Sequence, residues 1–157
     1  MNIFYLSRCP KTAAKMQCDK HVVKMPLETA QLLSTAHNEF GGNAPYKTTH
    51  KNHPSAIWAR SGLHQYNWLY EHFKALSDEY TRRYGRVHLS WERCSEALSE
   101  PPTGIPVIYW NDPPQCMPWF CKDNNTVVAY RNYYEYKKQD WLSRGMDMVW
   151  TEVHNVA

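Results

Sequence analysis

The chain has 157 residues, a formal net charge of +3, and 43 % hydrophobic and 14 % aromatic residues. This length and apolar content predict one buried core over residues 1–157 and exclude long disordered stretches. The weak positive charge suits an anionic partner but lacks the strong basic bias of many nucleic-acid-binding proteins, so charge alone does not decide the function.

Nothing in the sequence predicts membrane insertion or export. No stretch of 18 apolar residues occurs, and the opening segment MNIFYLSRCP lacks the basic start and apolar run of a signal peptide. We therefore expect a cytoplasmic protein with no membrane partner. Cytoplasmic thiols stay reduced, and an odd number of cysteines also argues against a disulfide framework. Free thiols are expected at Cys9, Cys18, Cys94, Cys116 and Cys121.

The apolar rhythm near the start of the chain predicts a helix over residues 11–38. Pro26 interrupts it, and because proline removes a helical hydrogen bond, we expect a kink or a restart there. A polar, turn-forming connection follows over residues 41–51. From Pro54 the pattern is helical again, and this second long helix should end near Gly85.

The last third of the chain combines helices with a proline-rich loop. A short helix is predicted over residues 90–98, whereas the prolines of residues 101–118 exclude regular helix. Asn125 suits the N-cap of a last helix that ends near Trp141. The tail residues Met148, Val149, Trp150 and Val153 are apolar enough to pack. We therefore predict an all-α, compact single-domain fold with long proline-rich connecting loops.

Six polar residues of the first predicted helix recur every three or four positions and so share one face. They are Gln17, His21, Lys24, Glu28, Gln31 and Thr35. A solvated face with a weak Lys24–Glu28 ion pair accounts for this pattern. A cleft floor accounts for it equally well, since carboxylate, imidazole and ammonium groups are the mixture that acid–base chemistry requires.

A second polar cluster, KTTHKNHP, precedes the second long helix. Its cations, hydroxyls and amides suit a phosphate seat, although a polar surface loop is the commoner role of such a segment. These groups belong to Lys47, Thr48, Thr49, His50, Lys51, Asn52 and His53. No matching cysteine or carboxylate spacing accompanies the two histidines, so we expect no metal.

A third cluster, YRNYY at residues 130–134, places Arg131 among tyrosines. Arginine beside aromatic rings suits stacking on nucleobases, but tyrosines at helical spacing more often belong to the core, which we favour. Motifs of nucleotide-phosphate loops, serine hydrolases, zinc fingers and dinucleotide folds are missing from the sequence.

The segment DKHVVKMPLETAQLLSTAH resembles the first-helix segment of the phage pyrimidine-dimer DNA glycosylases. These are small all-helical enzymes that excise ultraviolet-damaged bases and then cleave the strand. The likeness extends weakly to residues 53–85, similar to the family's long central helix, and to YRNYY, similar to its aromatic C-terminal segment. About half of the chain is covered, at low identity.

The resemblance implies both a chemistry and the residues that perform it. In that family an N-terminal amine attacks the sugar C1′, a glutamate stabilises the cationic sugar, and a Schiff base precedes strand scission. The implied catalytic residues are Glu28, His21 and the amine of Met1, or of Asn2 after methionine removal. We expect the substrate to be bound by Asp19, Lys24, Gln31, His50, Lys51, Asn52, His53 and Arg131.

Two departures from the family pattern keep a second hypothesis open. The family exposes a threonine after methionine removal, whereas Asn2 is a poor context for that step. Leu27 and Gln31 stand where the family has arginines that grip DNA. Lys20 or Lys24 is the alternative nucleophile, provided that burial favours its neutral form.

The leading hypothesis is a cofactor-independent glycosylase and abasic-site lyase acting on damaged or modified pyrimidine nucleotides in DNA. If the protein is phage-encoded, we expect it in the host cytoplasm. The alternative is a non-catalytic phage-type protein that sequesters a nucleotide or another small anionic ligand. An exposed patch of tryptophans would instead favour a protein-binding role. The sequence leaves the oligomeric state open.

Overall fold

The structure is a computed structural model that describes residues 1–151. Within this range the chain forms helices and no strand, which confirms the all-α prediction. The helices are α1 (Pro10–Lys15), α2 (Asp19–Glu39), α3 (Pro54–Ala59), α4 (Leu63–Tyr84), α5 (Leu89–Ser99) and α6 (Thr126–Ser143). A single 3-10 turn covers Trp119–Cys121.

The central helix of the fold is α2, which contacts α3, α4 and α5. Its buried residues pack in a core cluster with Ala56 of α3, Phe73 of α4 and Leu98 of α5. A second cluster joins the N-terminal segment, α2 and α6 through Phe4, Met25 and Tyr134. The N-terminal segment is therefore held against α2 and α6, which brings the first residues of the chain beside the middle of α2.

The predicted first helix is two helices, because α1 ends at Lys15 and α2 begins at Asp19. Gln17 lies in the connection with its side chain in the core, where Nε2 is 3.2 Å from Nε2 of the buried His72. Of the kink or restart expected at Pro26, the restart is wrong, since this buried proline lies inside α2, which continues past it. Packing of α2 against its neighbours outweighs the one helical hydrogen bond that proline removes.

The second predicted helix is also divided, into α3 and α4, at residues 60–62. A Cβ atom on Gly62 would clash with Oε1 of Gln65 and would lie 2.6 Å from Cγ1 of Ile108, so the proline-rich loop closes over the break. The predicted helix ends are confirmed at Gly85 and Asn125. Gly85 ends α4 with a φ of 72°, and Asn125 caps α6 by accepting a hydrogen bond from the Val128 N–H at 3.2 Å.

The loop over residues 101–118 contains no regular helix, as predicted, and is tied to the helices by side chains. Trp58 Nε1 donates to the Asn111 carbonyl at 3.0 Å, and Gln65 Nε2 donates to the Tyr109 carbonyl at 3.0 Å. All five cysteines, which lie within the described range, have free thiols, as expected.

The C-terminal tail packs only in part. Met148 is buried, but Val149 and Trp150 are exposed, contrary to the expectation that all of these side chains pack. Backbone bonding explains the difference, because this segment is held by the Val149 carbonyl, which accepts from the Asp19 N–H at 2.7 Å. Val153 lies outside the described residues. None of the helices in residues 1–151 is long and apolar enough to cross a membrane.

Candidate active site

A cavity of about 330 Å³ lies where the N-terminal segment, α2 and α6 meet. It is lined by Met1, Asn2, Phe4, His21, Lys24, Met25, Glu28, His53, Cys116, Tyr133 and Lys137. A wider cavity of about 910 Å³ lies beside residues 107–110 and has a mostly apolar wall. His64 and Tyr109 are the titratable side chains of its lining. The smaller cavity, in which amines, imidazoles and a carboxylate converge, is therefore the candidate active site.

A single carboxylate lies between two amines at the floor of this cavity. The amino nitrogen of Met1 is 3.7 Å from Oε1 of Glu28, and Nζ of Lys24 is 3.5 Å from Oε2 of the same residue. The Glu28 side chain is 15 % exposed, whereas that of Lys24 is 69 % exposed. The carboxylate thus faces the Met1 amine from inside the cavity, and Lys24 reaches the solvent.

The N-terminal segment is fixed in place by its own polar groups. Asn2 donates from Nδ2 to the Cys116 carbonyl at 2.9 Å, and its Oδ1 accepts from the Ile3 N–H at 2.9 Å. Phe4 has a φ of 54°, in the left-handed region that is costly for a residue with a bulky side chain. The bend turns the Phe4 ring onto that of His21, with 4.3 Å between the ring centroids.

His21 is a buried imidazole on the wall of the cavity. Its Nδ1 lies 2.6 Å from the hydroxyl of Tyr134, which leaves Nε2 as the ring nitrogen for a ligand. Burial lowers the pKa of His21 to about 3, and the positive charges of Lys137, Lys24 and Lys20 act in the same direction. At neutral pH the ring is therefore uncharged.

His53 connects α3 to the cavity. It is the N-cap of α3, where its Nδ1 accepts a hydrogen bond from the Ser55 N–H at 3.1 Å. Burial lowers the pKa of His53, the amino terminus and His50 lower it further, and Glu28 opposes them. Because Nδ1 is an acceptor, the neutral ring carries its proton on Nε2.

Five residues of the cavity wall were not predicted as site residues: Phe4, Met25, Cys116, Tyr133 and Lys137. Lys137 and Tyr133 are one turn apart on α6, and Nζ of Lys137 lies 4.8 Å from the centre of the Tyr133 ring. Burial lowers the pKa of Lys137. Because Tyr133 and Lys137 are four positions apart on one helix, the sequence could have indicated that their side chains contact each other. Phe4 and Cys116 come from tertiary packing, and no local pattern marks them.

The predicted polar face of the first helix is not a uniform solvated stripe. His21, Lys24 and Glu28 line the cavity, and Gln31, one turn further along, is half-buried outside the lining. Thr35 is buried and its Oγ1 accepts from the Thr49 N–H at 3.2 Å.

The carboxylate of Asp19 lies outside the cavity lining and pairs with Arg83, whose Nη1 is 3.1 Å from Oδ1. Thr151 donates to the same carboxylate from its N–H, at 2.9 Å, and from its hydroxyl. Burial by itself would raise the pKa of Asp19, but these hydrogen bonds from Thr151 and Arg83 outweigh it and the pKa is lowered. The structure therefore gives Asp19 a partner within the fold.

The second and third polar clusters are placed differently. Of the KTTHKNHP segment, His53 reaches the cavity, whereas His50, Lys51 and Asn52 are exposed on the turn before it.

Arg131 of the third cluster donates from Nε to the Leu6 carbonyl at 3.0 Å and lines a separate cavity of about 460 Å³. Tyr130 and Tyr134 are buried, which confirms the core interpretation for those two rings. Among residues 1–151, no three His, Cys, Asp or Glu side chains are grouped as metal ligands.

Comparison with known proteins gives one family. The family model described as pyrimidine dimer DNA glycosylase matches residues 1–93, more than half of the chain. That range contains α1 to α4, the cavity residues of the N-terminal segment and of α2, and His53. No match was found among curated proteins or among solved structures. The chain therefore belongs to the pyrimidine dimer DNA glycosylase family.

Proposed function

We propose that this protein is a DNA glycosylase and abasic-site lyase that acts on damaged or modified pyrimidine nucleotides. The observation that carries the proposal is the 3.7 Å approach of the Met1 amino nitrogen to Glu28 inside the cavity. An amine attacks the sugar carbon through its lone pair, and a neighbouring carboxylate can take up the proton that the amine has to lose. An amine beside a carboxylate is the pair that this family's chemistry needs.

The reaction follows from these two groups. The amine lone pair forms a bond to C1′, the glycosidic bond breaks, and the base leaves with its electron pair and takes up a proton. Loss of the amine proton and opening of the sugar ring give a Schiff base between the nitrogen and C1′. Removal of a C2′ proton then expels the 3′ phosphate and cleaves the strand. In this scheme Glu28 stabilises the cationic sugar and transfers the protons.

The other cavity residues bind and orient the substrate in this proposal. His21 and His53 offer neutral N–H donors, and Lys24 and Lys137 offer positive charge. Apart from Glu28, the titratable groups of the lining carry positive or no charge at neutral pH, which suits phosphate. The cytoplasmic location and phage origin expected from the sequence stay predictions.

A second candidate function is sequestration of a nucleotide without catalysis. It is favoured by the exposed Leu27 and the half-buried Gln31, which stand on α2 where the resemblance leads us to expect arginines that grip DNA. A binder needs the donors of the cavity but has no need of an amine facing a carboxylate.

The two functions are separated by trapping with borohydride, which reduces a Schiff base to a stable amine. Wild type, Glu28→Gln and a matched control, Glu71→Gln on the exposed face of α4, are incubated with abasic-site DNA and with ultraviolet-damaged DNA. We expect a covalent protein–DNA adduct for wild type and the control, and a loss of strand cleavage of about 100-fold or more for Glu28→Gln. No adduct on either DNA would refute the lyase and support the nucleotide binder.

A further inference from the structure

Three exposed aromatic side chains near the candidate active site form a row in which Phe120 contacts both Trp119 and Tyr136. We refer to these three residues as the aromatic ledge. The exposed fractions are 82 % for Trp119, 53 % for Phe120 and 40 % for Tyr136. The ring centroids of Trp119 and Phe120 are 5.9 Å apart, and those of Phe120 and Tyr136 are 4.9 Å apart, both edge to face. Contacting aromatic rings left open to water indicate an interaction surface.

The backbone under the ledge is anchored. Trp119 and Phe120 belong to the 3-10 turn, in which the Cys121 N–H donates to the Pro118 carbonyl at 2.9 Å. Cys121 is buried, and its carbonyl accepts from Nδ2 of Asn132 on α6 at 3.2 Å. The indole of Trp119 is therefore presented by a fixed turn, which reduces the entropy lost when a partner binds it.

The ledge adjoins the wall of the candidate active site. Cys116, which lines the cavity, shortly precedes Trp119 in the chain, and Met117 packs in the same core cluster as Tyr133. On α6, Tyr136 lies next to Lys137, and both Tyr133 and Lys137 line the cavity. This wall offers one path by which a DNA strand with a nucleotide in the cavity can continue.

Charge around the ledge suits a polyanion. Lys122 follows the turn and is exposed, and Lys137 and Lys24 add positive charge at the cavity edge. Two acids lie near the ledge along the chain: Asp123, whose Oδ1 accepts a hydrogen bond from the Asn125 N–H at 2.8 Å, and the exposed Glu135. Aromatic faces next to cations are the combination by which proteins hold unstacked nucleobases.

We infer that the aromatic ledge is a stacking platform on which Trp119 holds a nucleobase adjoining the damaged nucleotide while that nucleotide occupies the cavity. This inference rests on the proposed function, because it needs a DNA substrate in the cavity. It assigns a role in substrate positioning to residues beyond the segment that the family model matches.

The test measures DNA binding without chemistry. A duplex containing a tetrahydrofuran abasic analogue, which cannot form a Schiff base, is titrated with wild type, Trp119→Ala, Trp119→Phe and Tyr109→Ala, followed by fluorescence anisotropy. Tyr109 is a matched control, because its ring is 96 % exposed on the proline-rich loop and lies outside the cavity lining. We expect Trp119→Ala to raise Kd about tenfold, Trp119→Phe to retain most of the affinity, and Tyr109→Ala to leave Kd unchanged. The salt dependence of Kd should stay the same in Trp119→Ala, since no phosphate contact is removed.

Separate readouts distinguish failure of the ledge from failure of the proposed function. A Kd for Trp119→Ala within about a factor of two of that for Tyr109→Ala overturns the stacking platform, whatever the borohydride result. A Kd that depends on Trp119, together with no borohydride adduct for wild type, supports the platform and refutes the lyase. Failure of wild type to bind the duplex overturns the platform, and a protein partner then becomes the occupant to seek.

Discussion

The hydroxyl of Tyr134 lies 2.6 Å from Nδ1 of His21, although 113 positions separate the two residues in the sequence. The same hydroxyl oxygen accepts from the Cys18 N–H at 3.1 Å, and the Cys18 sulfur, at 3.8 Å, is a much poorer acceptor than the imidazole. The hydroxyl proton is therefore donated to Nδ1, and the neutral ring of His21 carries its proton on Nε2. Tyr134 thus fixes the orientation of His21, which under the proposed function donates from Nε2 to the substrate.

Stability should respond to acid through His21. Burial lowers the pKa of His21 from 6.5 to about 3, so between these values the unfolded chain binds a proton that the folded chain does not. Stability from this residue is fully present above pH 6.5 and is lost as pH falls, by up to about 1.4 kcal/mol per pH unit. Urea denaturation at several pH values should show a shallower decline for His21→Asn than for wild type. Equal declines would mean that the His21 ring takes up a proton in the folded protein.

Arg83 should be a structural residue. Its Nη1 donates to the Gln17 carbonyl at 2.8 Å and lies 3.1 Å from Asp19 Oδ1, while Nε lies 3.2 Å from Glu79 Oε2. Removing one partner of a buried ion pair leaves the other charge unpaired, so Arg83→Met should lower the free energy of unfolding by about 3 kcal/mol. Arg83→Lys should recover little of this loss, because an ammonium cannot reach three acceptors in a fork. A urea midpoint equal to that of wild type for Arg83→Met would contradict this role.

His53 should have two separable roles. As the N-cap of α3 it accepts a hydrogen bond from the Ser55 N–H, and loss of such a cap costs about 1 kcal/mol. We expect His53→Ala to be less stable than His53→Asn, since asparagine also caps helices well. Both variants should bind the abasic-analogue duplex more weakly, because neither has the Nε2 donor that faces the cavity. Full DNA affinity in the stable His53→Asn variant would show that capping is the only role of this residue.

Lys24 should contribute to DNA binding more than to stability. Its ion pair with Glu28 is exposed on the lysine side, so Lys24→Met should change the free energy of unfolding by less than about 1 kcal/mol. If Lys24 contacts a phosphate, the same variant should reduce the slope of log K against log salt by about one. Lys74→Met, on the exposed face of α4 away from the cavity, is the matched control. An unchanged slope for Lys24→Met would place the phosphate contact elsewhere.

Local signals in the sequence determined how well the fold could be predicted. Gly85 and Asn125 mark helix ends correctly, because a left-handed C-terminal residue and an N-cap act within one turn. The break after α1 was not predictable, since it depends on Gln17 reaching the buried His72 of α4. The break at Gly62 depends in the same way on the approach of Ile108 from the proline-rich loop.

The candidate site was predictable where one helix carries it. The spacing of His21, Lys24 and Glu28 places them together on α2, and the structure brings these three to the cavity. Spacing alone did not show that Asp19 is already paired with Arg83, which comes from a distant part of the chain. The contact of Tyr134 with His21 was not predictable for the same reason, because only the folded chain brings the Tyr134 hydroxyl against the imidazole.

The measurement that tests the central claim most directly is the identification of the amine that binds DNA. The borohydride-reduced adduct with abasic-site DNA is digested with nuclease and protease, and the modified peptide is sequenced by mass spectrometry; the intact mass shows whether Met1 is present. The proposed function predicts that the sugar remnant is on the N-terminal amino group, 3.7 Å from Glu28 in the structure. A remnant on Lys24 or Lys137, or no modified peptide at all, would contradict it.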